Sequence, residues 1–147
     1  MAQLLAIDLG LKTGLAVFGD DGRVRRYRSQ NYGTVGRLKR AAWGEIVGVE
    51  ELVALAVEGD MALARVWAKV ATKRGAEVFA IQAATWRREL LPDKDRRSGA
   101  SAKAAAEVLA RDVVERSGLP RPTAMRHDAA EAICIGVWAC RQLGWPG

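Results

Sequence analysis

The sequence predicts an α/β protein built on one mixed sheet of five strands, three antiparallel and then two parallel, with helices on both faces. Three observations carry that expectation. Two short apolar runs, Leu4 to Ile7 and Leu15 to Phe18, flank GLKTG as the arms of a hairpin. A continuous apolar run from Leu52 to Val57 has the character of a parallel strand covered on both faces. Segments of helical spacing precede and follow that run, which is the pattern of strands joined by crossover helices.

Taken in order, Gly10 and Gly14 bracket the first reversal, where a residue without Cβ is free to take positive φ. Asp20, Asp21 and Gly22 predict a second turn, and Arg23 to Ser29 alternates basic and non-basic residues as an exposed third strand does. From Val35, the positions Leu38, Ala42, Ile46 and Val49 follow helical spacing, with Arg37, Lys39 and Arg40 opposite. The fourth strand ends in Glu58, Gly59 and Asp60, and Asp60 is suited to cap a helix whose apolar face is Leu63, Val66, Trp67 and Val70. Gly75 stops that helix, Glu77 to Ile81 is a fifth strand, and Ala83 to Leu91 leaves room for a brief helix before Pro92. The polar segment DKDRRSGAS, Asp93 to Ser101, predicts a mobile loop that orders on a ligand. An alanine-rich helix from Ala102 to Arg116, closed by Gly118, leads through Pro120 and Pro122 to a last helix from about Asp128 to Gln142.

At 147 residues and 50% apolar, the chain has material for one sizeable core, and a single domain over residues 1–147 is expected. No apolar run approaches the ~20 residues of a membrane span, and no basic leader precedes an apolar segment. A soluble, intracellular protein is expected, with no membrane partner and no small-molecule cofactor. Cys134 and Cys140 fall on different faces of the last helix and predict reduced core thiols. A formal charge of +6 favours a polyanionic partner without naming one. Trp43, Trp67 and Trp138 lie on apolar helical stripes and predict core or dimer contacts, and the Trp67 helix is a candidate dimer face. Trp86, beside two arginines, is expected to pack rather than to stack on a base.

The acids fall at telling places. Asp8 sits inside an apolar strand, Glu58 ends another, and Asp128 and Glu131 share one face of the last helix. A mixed sheet sets the first strand beside the fourth, and a terminal helix can place its acidic turn over both. Four carboxylates so gathered raise one another's pKa and call for positive charge. Hard oxygen donors suit Mg2+, with Mn2+ as a substitute, and two such ions can serve a phosphodiester displacement. Lys103 is the candidate for steadying the phosphate oxygens. Arg87, Arg88, Lys94, Arg96 and Arg97 are candidates for following a phosphate backbone, though Glu89, Asp93 and Asp95 dilute them, and His127 adjoins the acids as a ligand, base or phosphate contact.

With those residues in view, the AIDLGLKTG hairpin, the LVALAVEG strand and the HDAAEAICIG helix resemble the three acidic motifs of RuvC-type Holliday junction resolvases. These belong to the RNase H-like, or retroviral integrase, superfamily. The resemblance matches Asp8 to the family's first-strand aspartate, Glu58 to its fourth-strand glutamate, Asp128 and Glu131 to the acid pair of its final helix, and Lys103 to a basic residue near the scissile phosphate. It implies a magnesium-dependent endonuclease that cuts four-way DNA junctions by symmetric nicks as a homodimer. It places the protein in the cytoplasm, at the nucleoid or, if phage-encoded, in the host cell.

There are departures. Glu131 stands where bacterial members have aspartate, and Met61 stands where they tend to carry an aromatic at the junction centre. The TWRREL segment, Thr85 to Leu90, is more similar to phage, viral and organellar relatives. Two other readings share the hairpin: a YqgF-type RNA-processing nuclease, against which Glu58 argues, and an actin-like ATPase module, which needs a second lobe. A degenerate nuclease fold kept for DNA binding is a further alternative, and the intact acid set gives it no support.

Overall fold

The central strand, β1 (Gln3–Asp8), is buried because its apolar residues alternate onto two covered faces. The computed structural model describes residues 1–147. β1 pairs antiparallel with β2 (Lys12–Gly19), which pairs antiparallel with β3 (Val24–Asn31). On its other side β1 pairs parallel with β4 (Leu52–Glu58), and β4 pairs parallel with β5 (Glu77–Ile81), giving the order β3-β2-β1-β4-β5. The five-stranded mixed sheet expected from the sequence is therefore present.

Leu5, Ile7, Leu15 and Val17 face a core shared with α1 (Val35–Val47) and α2 (Met61–Lys73). Leu4, Ala6, Ala16 and Phe18 face a larger core on the opposite side. That core is closed by α3 (Ala83–Leu90), α4 (Gly99–Arg116) and α5 (His127–Gln142). Every residue of α5 from Ala129 to Cys140 is buried, as befits a helix held between the sheet and α4. Trp138 packs edge-on against Phe79 with ring centroids 5.7 Å apart. Cys134 and Cys140 are free and buried, and burial pushes both thiols up to about 12. No helix is long and apolar enough to cross a membrane.

Three local expectations need correction. Neither Gly10 nor Gly14 takes positive φ; the first reversal is instead closed by the buried Thr13, whose hydroxyl donates to the Gly10 carbonyl. Asp93 to Ser101 is not loop throughout. A short 3-10 turn, Asp93–Arg96, follows Pro92, and Ser98 and Ser101 form a reciprocal cap that starts α4 at Gly99. Trp43 is 64% exposed, because the stripe that α1 buries is the narrow row Leu38, Ala42 and Ile46, so of the two contacts expected for it the core contact is excluded. Trp67, by contrast, is sealed against the sheet, so the interior side of α2 is filled within one chain.

Candidate active site

Strand alternation decides which acids can meet. Asp8 is in phase with Leu4 and Ala6, and Glu58 with Ala54 and Ala56, so both carboxylates lie on the α5 side of the sheet. The parallel register sets Asp8 directly beside Glu58. On its other flank Asp8 faces Gly14 of β2. A Cβ at Gly14 would stand 1.8 Å from the carbonyl oxygen of Asp128, so the first turn of α5 can settle onto the strand ends only because that position has no side chain. A bulkier residue at Gly136 would collide with Phe18 in the same way, which lets the rest of α5 follow its first turn down.

Three of the carboxylates are held by one oxygen each. Glu58 Oε1 accepts a hydrogen bond from Trp86 Nε1 at 2.8 Å. Asp128 Oδ1 accepts from the Ser29 hydroxyl at 2.8 Å. Glu131, only 4% exposed, accepts from Arg87 Nη2 at 3.0 Å, and His127 Nε2 lies 2.8 Å from the same oxygen. Asp8 also hydrogen-bonds the Glu58 carboxylate, whereas the second oxygens of Asp128 and Glu131 take no side-chain hydrogen bond. Arg87 itself lies 5.3 Å from the centre of the Trp86 ring, and its buried Nε has no partner.

The charges are not balanced. Burial, followed by the charges of Glu58, Glu131 and Asp128, pushes the Asp8 carboxyl up to about 8, and Arg87 only partly opposes them. Burial also raises Glu58; the Trp86 N–H works against that and the Glu131 charge adds to it. One guanidinium therefore stands against a cluster of four acids.

Asp8, Glu58, Asp128, Glu131 and His127 are thus gathered at one end of the sheet, together with Arg87. The other sequence candidates make no side-chain hydrogen bond or ion pair with these acids. Lys103 is exposed near the start of α4 and forms no ion pair with the acids. Arg88, Lys94 and Arg97 are exposed, and Arg96 is paired with Asp93. Arg87 belongs inside the acid cluster and not, as expected, to a solvent-facing basic run, because α3 directs it onto Glu131. Trp86 and Ser29 are site residues that sequence reasoning missed. The signal for Ser29 lay in the hairpin register, since Ser29 pairs with Gly14 and Gly14 with Asp8. Nothing local ties residue 86 to residue 58.

No protein-family model and no curated protein matches the sequence. Among solved structures, the chain is similar to T. thermophilus RuvC in complex with Holliday junction substrate, with a TM-score of 0.65 and 20% identity over 98% of this chain and 96% of that one. The fold is RNase H-like. A more distant match is the catalytic core domain of BIV integrase, with a TM-score of 0.37 and 9% identity over 91% of this chain and 80% of that one.

In this RNase H-like chain no group of three or more acidic, histidine or cysteine side chains stands in metal-ligating geometry. The carboxylates are instead tied separately to Trp86, Ser29 and Arg87. The donor set nevertheless fits a hard divalent cation. Its donors are carboxylate oxygens, Asp128 and Glu131 each keep one oxygen free of side-chain donors, and burial together with the surplus negative charge favours a proton on Asp8 where a cation would relieve it.

Proposed function

We propose that this protein is a divalent-metal-dependent endonuclease that resolves four-way DNA junctions by paired nicks, acting as a homodimer. The observation that carries the reading is Asp8 and Glu58 side by side beneath the first turn of α5, with burial and then three other acids raising the Asp8 carboxyl. The RNase H-like fold supports it, and so does the near-complete overlap with a protein described with a Holliday junction bound.

In this reading Asp8, Glu58, Asp128 and Glu131 hold Mg2+, or Mn2+ in its place. Bound there, such ions would activate a water and offset charge building on the departing 3′ oxygen. The chain's own residues prepare the site for them. Trp86 and Ser29 fix the directions of Glu58 and Asp128 through one oxygen each. Arg87 keeps Glu131 turned toward the cluster and moderates the repulsion among the acids. His127 adjoins Glu131 and is placed to meet a phosphate at the mouth of the site. Lys103 would steady the non-bridging oxygens of the phosphate being cut, and the exposed Arg88, Lys94, Arg96 and Arg97 would contribute to holding the DNA backbone. Two symmetric nicks need two such centres, which is the reason for a dimer.

Synthetic four-way junctions, linear duplexes and structured RNA offered in competition test this. Nicking of the junction first with Mg2+ or Mn2+, binding without cutting in Ca2+, and loss of cutting with retained binding in Asp8→Asn are the expected results. Preferential cutting of RNA would move the assignment to an RNA-processing nuclease. Nucleotide hydrolysis without strand cutting would end it.

A further inference from the structure

A second concave surface adjoins the acids toward the β3 edge of the sheet, whereas α3 closes the β5 side. It is a groove of about 280 Å3 lined by Lys12, Ser29, Gln30, Asn31, Arg126 and Asp128, so no apolar side chain faces it. Lys12 and Asn31 are register partners across β2 and β3, and Arg126 immediately precedes α5. The groove and the acid cluster therefore share one wall, Asp128.

The cations of this groove are free. Arg28 is engaged with Glu45 and Arg87 with Glu131, but Lys12 and Arg126 take part in no ion pair. Asn31 Oδ1 accepts from the Gly33 N–H at 2.9 Å, which leaves its amide nitrogen to donate outward. Ser29 has given its proton to Asp128, so it fixes the wall and does not add a donor. Two unpaired cations and a pre-oriented amide around a polar hollow match the oxygens of a phosphate diester. The one acid of the lining is also a proposed metal ligand, so a bound divalent ion removes the repulsion it would exert on an anion.

We propose that this groove seats a backbone phosphate next to the one being cut, with Lys12 and Arg126 as its cations and Asn31 as its neutral donor. The proposal rests on the nuclease reading and gives the strand a path across the site, from α3 over the acids toward β3. It separates two kinds of basic residue: these grip one strand beside the acid centre, and the exposed arginines around α3 contact DNA farther out.

The test is binding of a labelled junction in Ca2+ by the full chain over a series of salt concentrations, for the wild type, Lys12→Gln with Arg126→Gln, and a control pair, Lys39→Gln with Arg40→Gln. The control pair removes the same charge from exposed positions of α1 on the opposite face. Loss of two phosphate contacts flattens the slope of log affinity against log salt by about 2 and weakens binding by roughly 10- to 100-fold near physiological salt. The control pair should leave the slope close to wild type, and thermal melts of all three proteins should agree. An unchanged slope in the Lys12/Arg126 pair, or an equal loss in the control pair, overturns the groove while leaving the nuclease assignment standing. A wild type that binds no branched DNA overturns both.

Discussion

Asp8 makes folding and proton binding compete. Its carboxyl moves from an ordinary 3.8 to about 8, first through burial and then through three neighbouring acids. Between those two values the folded chain holds a proton that the unfolded chain has released. Stability therefore decreases as pH rises through that window, the reverse of a salt-bridged aspartate. Glu58 is raised as well and adds to the same trend. In metal-free buffer the melting temperature is expected to drop between pH 5 and pH 8. Asp8→Asn should remove much of that drop, gaining on the order of 2 kcal/mol at pH 8, or roughly 5 °C for a chain of this size. A flat wild-type profile, or an asparagine variant that melts no higher at pH 8, would contradict the charge cluster itself. Asp8 could be read from the sequence because an acid within an apolar strand is conspicuous. Trp86 could not, since its bond to Glu58 depends on how α3 is tilted after β5, and no local pattern encodes that tilt.

α5 is the element that turns separated acids into a site, and glycine decides how near it comes. The helix and its acidic face were legible from apolar spacing and from the three-residue interval between Asp128 and Glu131. Gly14 was legible only as a turn residue, because its other task is set by a helix more than a hundred positions later. The start of α4 was hidden for a different reason. Its reciprocal cap uses Ser101 where glutamate or glutamine usually marks the motif, inside a stretch whose charge reads as loop. Gly14→Ala and Gly136→Ala separate approach from packing. Both insert a methyl group into a filled contact and should cost about 1–3 kcal/mol. The Gly14 variant displaces Asp128 and should lose strand cutting by far more than its lost stability explains, assayed well below its melting temperature. The Gly136 variant, which meets Phe18 more than a helical turn beyond Glu131, should keep more of its cutting than the Gly14 variant under the same conditions. Equal losses in the two would mean that the descent of α5 onto β1 and β2 has no special bearing on the site.

Across the whole molecule, the sheet divides the interior into two cores, and the acids gather where the larger core opens at the ends of β1 and β4. The order of strands and helices was readable because each segment keeps one hydrophobic period and ends on a clear breaker. What spacing cannot convey is the strain of packing like charges against a tight core, and that strain links metal binding to the stability of the entire fold. A ligand that binds the folded chain alone stabilises it by about 2.7 kcal/mol at a hundredfold excess over its Kd, or very roughly 5–10 °C here. Mn2+, Mg2+ and Ca2+ should therefore each raise the melting temperature, and a chelator should reverse the effect. The increment should be larger at pH 8 than at pH 6, because at the lower pH a cation must first displace the Asp8 proton. It should vanish in an Asp8→Asn/Glu58→Gln double variant. That variant should melt at or above the metal-free wild type, since it has lost two of the mutually repelling charges. An increment that survives the double substitution would place the ion elsewhere on the protein.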